Sequence, residues 1–354
     1  PAAPQKIASV TVDDVQVPVL MGLETNPLLR VRVETTGTLN PIALSEVAAM
    51  LSGSITEKDL AAVQWLASGS STNFGDAKPF GESSAVKKGS LVFKGKQTLC
   101  AGSNYFWLSV KLSKRADIDR IVKASCAYLK FSDGNIHKPQ SATGVVHRLG
   151  VAVRQGGQGG VNTCRIPGLA TTTKGTLIGV YDLRYRGGGD LPGDIDVGMS
   201  RSTDGGRTWE PTRAIMDMGR AAKWRYDGIG DPAVLVDRNT GTIWGAATWS
   251  HGNRSWRGSG PGMKPEETGQ LMLVRSVDDG VTWSKPVNIT EQIKKPEWCF
   301  VLQGPGKGIT MANGTIVFAA QYQDPPNKRR LPHSTIIFSK DHGRTWHVGT
   351  GAFD

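Results

Sequence analysis

Cysteine is scarce in this chain. The four present, Cys100, Cys126, Cys164 and Cys299, stand far apart with no C-x-x-C pair, which argues against a zinc site and against thioredoxin-like chemistry. Cys100 and Cys126 share the early part of the sequence, where they either form one disulfide or are two buried thiols. Long apolar runs are missing too, and without about 18 consecutive apolar residues there is no candidate membrane-spanning helix. Cations are not gathered into a tail or stripe. The longest basic run is Lys328-Arg329-Arg330, which disfavours nucleic-acid binding. The glycine-rich stretches lack phosphate-loop spacing: Gln155 to Gly160 misses G-x-G-x-x-G, and Gly308 stands where a P-loop needs Ser or Thr to bind the metal. The sequence opens at Pro1 with neither Met nor an apolar signal segment, the pattern of a removed leader or a late start.

What is present points to a turn-rich β protein. Gly (44) and Pro (19) are abundant, hydrophobic residues make up 38% and charged residues 21%, a balance that excludes disorder and coiled coil. With about 150 residues per domain as a guide, 354 residues suggest two domains. Forty-two Lys and Arg against 31 Asp and Glu leave a net charge of +11, so the surrounding field favours anionic partners.

From Lys6 to about Ser132 apolar and polar residues alternate, as in Leu29-Arg30-Val31-Arg32-Val33 and Trp107-Leu108-Ser109-Val110-Lys111-Leu112, the period of a half-buried strand. Ser45–Leu51 and Glu57–Leu66 read as short helices or loops. The segment reads as a β-sandwich ended by the polar stretch 133–139, which puts a domain boundary near residue 140. Trp65, Tyr105, Phe106 and Trp107 are its available aromatics, without a convincing sugar platform among them.

The second part carries an internal repeat. Ser202 to Trp209, Ser276 to Trp283 and Ser339 to Trp346 all fit S-x-D-x-G-x-T-W, starting 74 and 63 residues apart. Each copy makes sense as a hairpin turn in which Asp accepts from the turn's own amides, Gly takes the φ > 0 position and Trp packs back into the sheet. Turn capping already employs these Asp residues, so none is a catalytic candidate.

Three such boxes preceded by Arg165-Ile166-Pro167 resemble the bacterial exo-α-sialidases, whose six-bladed β-propeller carries Asp boxes (BNR repeats) on its rim and an (F/Y)RIP motif early in the catalytic domain. The resemblance runs from about Val161 to the end of the chain; Cys164 stands at the motif's aromatic position. It implies an all-β protein, with an accessory, carbohydrate-binding-like sandwich over 1–140, as in some gut-bacterial members, and the first part of a propeller over 141–354. It also implies a retaining glycoside hydrolase that removes terminal sialic acid from glycoproteins, glycolipids and oligosaccharides. Secreted, periplasmic or cell-surface placement follows from it, and neither cofactor nor metal is implied.

The chemistry of such a substrate explains the residue types. A sialoside carries a carboxylate on the carbon where substitution occurs, and a guanidinium holds that anion with two parallel hydrogen bonds. Arg165 is the candidate. Asp190 lies six residues beyond Arg184 on a loop containing Gly187, Gly188 and Gly189, and the resemblance makes it the general acid and base. A carboxyl there partly shielded from water would have the raised pKa an acid needs. Asp194 is second choice, while Asp196, opening the next strand, reads as a structural hydrogen-bonding group. The family pattern makes Arg184 a further active-site arginine and makes Asp231, in Gly230-Asp231-Pro232, a contact to the N-acetyl arm of the sugar; a turn Asp before proline is the other reading of Asp231. Trp249, His251 and Trp256, on a loop rich in Gly and Ser, read as packing residues first, with sugar stacking as the other reading. His333 is either an active-site neighbour or a core imidazole.

Sialidases use a tyrosine nucleophile, because an attacking carboxylate would be repelled by the one on the substrate. In the family a Glu activates it shortly after the third Asp box, with two more arginines in later blades. Tyr181, Tyr185, Tyr226 and Tyr322 sit in or beside apparent core strands, so the Tyr and Glu pair, with the remaining blades, is expected in a second polypeptide or a missing segment. The alternative function is a sialic-acid-binding adhesion module without chemistry.

Overall fold

The computed structural model describes residues 3–82, 88–139, 146–219 and 227–352. The chain divides into two compact units, Pro1–Ala152 and Val153–Asp354. In the first, one sheet orders its strands as Lys6–Asp14, Asn26–Thr36, Gly102–Leu112, Leu60–Gly69 and Lys78–Pro79; the other runs Val19–Met21, Val146–Val151, Ile121–Phe131, Ala43–Gly53 and Gly89–Thr98. Their inner faces share one core, with Val31, Val33 and Leu108 from the first sheet and Val47, Leu91 and Leu129 from the second. This is the sandwich that alternation predicts.

Three details differ from the expectation. Strand Val146–Val151 belongs to the first unit because it pairs with Val19–Met21 and with Ile121–Phe131, so the division falls after residue 152 rather than near 140. The polar stretch that suggested an ending is a turn whose Ile136–His137 folds back on Lys130 and Leu129. Ser45–Leu51 lies inside strand Ala43–Gly53, and Glu57–Leu66 contains one 3-10 turn, Glu57–Asp59, before strand Leu60–Gly69. Helix-favouring Ala, Glu, Leu and Met were overridden by the core facing Val47, Ala49 and Leu51. No disulfide forms: all four cysteines are free, Cys100 being exposed while burial pushes the Cys126 thiol up to about 12. Trp65, Tyr105, Phe106 and Trp107 are all buried and offer no sugar platform.

The second unit contains three blades among the described residues. The first is the antiparallel sheet Thr163–Thr171, Leu177–Arg184, Ile195–Ser202 and Arg213–Met216. The second orders Asp227–Val236, Ile243–His251, Gln270–Ser276 and Val287–Asn288, with Gly306–Lys307 added parallel to its first strand. In the third, Phe300–Gln303 and Ile309–Thr310 share the lane beside Ile316–Gln323, followed by Pro332–Ser339 and His347–Val348. Strand Asp227–Val236 is apolar on both faces because Val234 and Val236 pack toward the first blade while Ala233 and Leu235 pack toward the third.

Each Asp box joins the third and fourth strands of its blade. The three copies repeat the same bonds: Asp204, Asp278 and Asp341 accept from the backbone amide and hydroxyl of the Thr four residues on, and the Gly206, Gly280 and Gly343 amides donate to the box serine. The threonine bonds hold the Asp204 and Asp278 carboxyls down at about 2. The turn needs two left-handed residues rather than one: Gly205, Asp279 and His342 have φ of 72°, 63° and 59°, directly before the glycines at 88°, 84° and 84°.

Gly343 and Gly175 share a φ of +84°, but a Cβ on Gly343 would lie 2.1 Å from Cζ2 of Trp244, whereas Gly175 faces open space. Gly343→Ala is expected to cost about 1–3 kcal/mol more than Gly175→Ala, read as the difference in chemical-denaturation stability between the two variants. Equal losses would show that the Trp244 ring yields.

Candidate active site

Two proline-containing bulges build the site. Thr163–Thr171 pairs regularly with its neighbour except between Arg165 and Gly168, and Asp227–Val236 slips likewise between Gly230 and Ala233. In each, the residue before proline is forced left-handed, Ile166 at φ 56° and Asp231 at φ 57°. A β-branched residue there is strained, and residues preceding proline favour extended backbone instead. Such strain persists where the surroundings over-determine it. Bulges re-aim side chains, and here Arg165 and Asp231 both line one cavity of about 350 Å³.

Asp190 lines the same cavity, so three of the four residues singled out from sequence come together. Trp256, Phe300 and Leu302 supply an apolar wall, with Thr248, Ser255 and Gln321 as polar neighbours. Arg184 lies beneath rather than in the cavity. Its side chain is 1% exposed, and its Nε and Nη2 donate to Asp182 at 3.0 and 2.7 Å while Nη1 donates to Gly188 O and Asp190, both at 2.8 Å. Each guanidinium nitrogen of Arg184 thus donates within the protein, which positions Asp182, the Gly188 carbonyl and Asp190.

Arg165 shares two of those acceptors. Its Nη1 donates to Gly188 O at 2.8 Å and to Asp190 Oδ1 at 3.1 Å, leaving Nε and Nη2 without a partner among the described residues; the side chain is 44% exposed. Asp190 is 68% exposed, so the shielding expected of it is absent in this state. Asp182, also 1% exposed, accepts the Asp231 amide at 2.9 Å. Burial pushes Asp182 up to about 6, with the Arg184 hydrogen bond pulling down and the Asp231 charge pushing up. Burial raises Asp231 as well. Gln303, fully buried, donates to the Asp231 carbonyl and accepts from Thr248.

The remaining candidates lie elsewhere. Asp194 pairs with Arg186 beside a smaller cavity, and Asp196 accepts from the Tyr185 hydroxyl, the structural employment expected of it. Trp249 donates to Asp227 and packs on His251, whereas Trp256, read as a packing residue, faces the cavity with its ring edge-on to Phe300. His333 stacks on Tyr322 and bonds Asp324. Tyr181 and Tyr322 are buried, Tyr185 is half-buried, and none lines the cavity; Tyr226 lies outside the described residues. Asp182 was legible after all as an acid two residues from Arg184, hence on the same strand face, inside an apolar run. Among the described residues no group of three or more His, Cys, Asp or Glu is placed to hold a metal ion.

Residues 7–135 match the family described as the N-terminal domain of BNR-repeat neuraminidase, and residues 183–352 match the BNR repeat-like domain. A solved structure described as "Hadza microbial sialidase Hz136" aligns over 97% of this chain and 71% of its own, at 39% identity and a TM-score of 0.84. The chain belongs to the BNR-repeat sialidase family. It is 46% identical to a Bacteroides fragilis sialidase over 73% of this chain and 48% of that protein, and 34% identical to a Paraclostridium sordellii sialidase over 52% and 46%. This sialidase-family chain thus spans about half the length of the curated relatives it matches.

Replacing Arg184 by Met leaves Asp182 buried without its cation, and the expected loss is about 3–5 kcal/mol. Asp182→Asn, which removes the charge as well, is expected to cost less. Urea unfolding of both variants checks the order; a larger loss for Asp182→Asn would reverse the roles assigned to the pair.

Proposed function

We propose that this chain is the substrate-gripping part of a retaining exo-α-sialidase that releases terminal sialic acid from glycoproteins, glycolipids and oligosaccharides outside the cytoplasm. The observation that carries the reading is the open edge of Arg165, Nε and Nη2, at a cavity also lined by Asp190. A substrate carboxylate fits that edge with two parallel charge-assisted bonds, while Nη1 stays on the loop that carries Asp190. Asp231 faces the N-acyl arm from the opposite bulge, with Trp256 and Phe300 against its methyl end.

Asp190 then protonates the leaving oxygen as a tyrosine attacks the anomeric carbon, and it later deprotonates the water that releases the sugar. The described tyrosines are employed elsewhere, Tyr181 on Ser200 and Thr212, Tyr185 on Asp196, and Tyr322 stacked on Trp298. On this reading the nucleophile and its Glu belong to blades beyond the three described. Blades carrying them would cover Ile309 and Ile336, which are 57% and 41% exposed on the third blade.

The direct test is hydrolysis of an aryl sialoside by the whole protein, with loss of activity by at least about a hundredfold in Arg165→Ala and in Asp190→Ala. A fully active Arg165→Ala protein would refute the placement. Failure of hydrolysis with retained, Arg165-dependent sialic-acid binding would favour an adhesion module.

Binding is also expected to depend on pH. Three carboxyls, Asp182, Asp190 and Asp231, surround two guanidinium groups, and Asp182 exchanges its proton near 6. An arriving anion favours the protonated form, so binding takes up a proton and weakens as pH rises above about 6. Calorimetry of sialic-acid binding in buffers of different ionisation enthalpy measures the uptake; its loss in Asp182→Asn assigns the site.

A further inference from the structure

The two joints between blades are built from equivalent positions but are filled differently. Arg201 and Arg275 each directly precede the serine of their Asp box, opposite Ile178 and Trp244 respectively. At the first joint Arg201 has two acidic partners: Glu210, just after the first box, at 2.7 Å, and Asp279, in the second box, at 3.0 Å. Arg213 completes the filling by donating to the carbonyls of Val281 and Gly280.

At the second joint every one of these partners is different. Ser284 stands where Glu210 does, His342 stands where Asp279 does, and Val287 replaces Arg213, opposite Leu273 instead of Met199. His342 is moreover directed away, its Nδ1 lying 2.8 Å from the buried carboxylate of Asp237. The result is an open cleft of about 230 Å³ at the second joint. Its floor is apolar, formed by Trp244, Leu273, Ile289 and Trp346, and its rim carries the guanidinium groups of Arg275 and Arg344. Among the described residues neither guanidinium has a hydrogen-bonding or ion-pair partner.

An arginine kept in place after both acids that serve its counterpart have gone is a site shaped for a carboxylate from outside. We propose that this cleft is a second, non-catalytic binding site for a carboxylate-bearing monosaccharide unit, separate from the cavity at Arg165. The carboxylate takes the place that Glu210 and Asp279 occupy around Arg201, in the planar two-nitrogen geometry a guanidinium prefers. The apolar floor accepts the C–H face of a sugar ring, and the cleft has room for several waters at about 30 Å³ each, the size of one sugar residue. Gln292, whose side-chain oxygen accepts from the Trp346 amide, has its Nε2 left to donate to a sugar hydroxyl, and Ser284 Oγ, which accepts from the Arg275 amide and donates to Lys285 O, keeps one acceptor position. A site here, on the blade joint, would hold a glycan chain to the protein while another of its termini is processed.

The test uses D-glucuronate as probe and D-glucose as its uncharged control, titrated calorimetrically into the whole protein carrying Arg165→Ala, which removes the other anion site. Glucuronate is expected to bind and glucose not. Arg275→Gln and Arg344→Gln are each expected to weaken glucuronate by about tenfold or more. Ser284→Glu restores the acid found at the first joint; it is expected to pair with Arg275, abolish binding and leave the fold at least as stable. Absence of glucuronate binding, equal binding of glucose, or undiminished binding in Ser284→Glu and Arg275→Gln would overturn the proposal. None of these outcomes depends on the hydrolytic reading of the first site.

Discussion

The ion pair between Asp182 and Arg184 governs the candidate site. Both side chains are almost completely withdrawn from water, and a buried pair survives only when its remaining donors and acceptors are satisfied. Those requirements determine what surrounds it. Asp182 takes the amide of Asp231 and so fixes the second bulge; Arg184 takes the Gly188 carbonyl and Asp190 and so fixes the glycine loop. Arg165 joins through the same carbonyl and carboxylate. The close approach also dictates residue type: a Cβ on Gly230 would sit 3.1 Å from Asp182 Oδ1. Left-handed backbone at Ile166 and Asp231 costs energy, and this network is what holds both residues there.

The Asp boxes show the complementary principle, in which local bonding is constant while the outward contacts vary. Ser, Asp, Gly and Thr satisfy one another within each turn, which frees the fourth position of the box to contact the preceding blade. Asp279 meets Thr176 and Arg201 across the first joint, and His342 meets Asp237 across the second. The acid has changed sides between the two joints. Asp237 is fully buried, yet its carboxyl lies low: burial alone would raise it, and the Asn239 amide, Thr240 and His342 outweigh that cost. Exchanging partners in this way preserves the joint while leaving Arg275 without an acid.

Legibility in the sequence followed how local each cause was. The boxes were readable because their bonds close within eight residues, and Arg165, Asp190 and Asp231 were readable because a motif and a fixed spacing marked them. The second left-handed turn position was missed because Asp279 and His342 do not advertise it as glycine does. The place of Trp256 at the cavity was not legible, because its neighbour Phe300 lies far along the chain and only the fold brings the two rings to one wall. Ser45–Leu51 has the composition of a helix, and its strand state is imposed by partners on either side, Gly89–Thr98 and Ile121–Phe131. Two prolines inside strands, Pro167 and Pro232, were the unread signal for paired bulges.

The division of labour between the two arginines follows from their surroundings and limits how an anion can be held. Arg184 spends four of its five N–H donors on Asp182, Gly188 and Asp190, so its charge reaches the cavity mainly through the groups it orients. Arg165 has one free edge, enough for a single two-point grip. Against these two cations stand three carboxyls, which leaves the cavity short of positive charge unless Asp182 keeps its proton. Strong binding of an anion by these residues alone would therefore be opposed by their own acids, whose evident use is to orient guanidinium groups rather than attract substrate. A cavity so arranged would gain most from further cations, which would convert an oriented but acid-rich site into one with a net pull on a carboxylate.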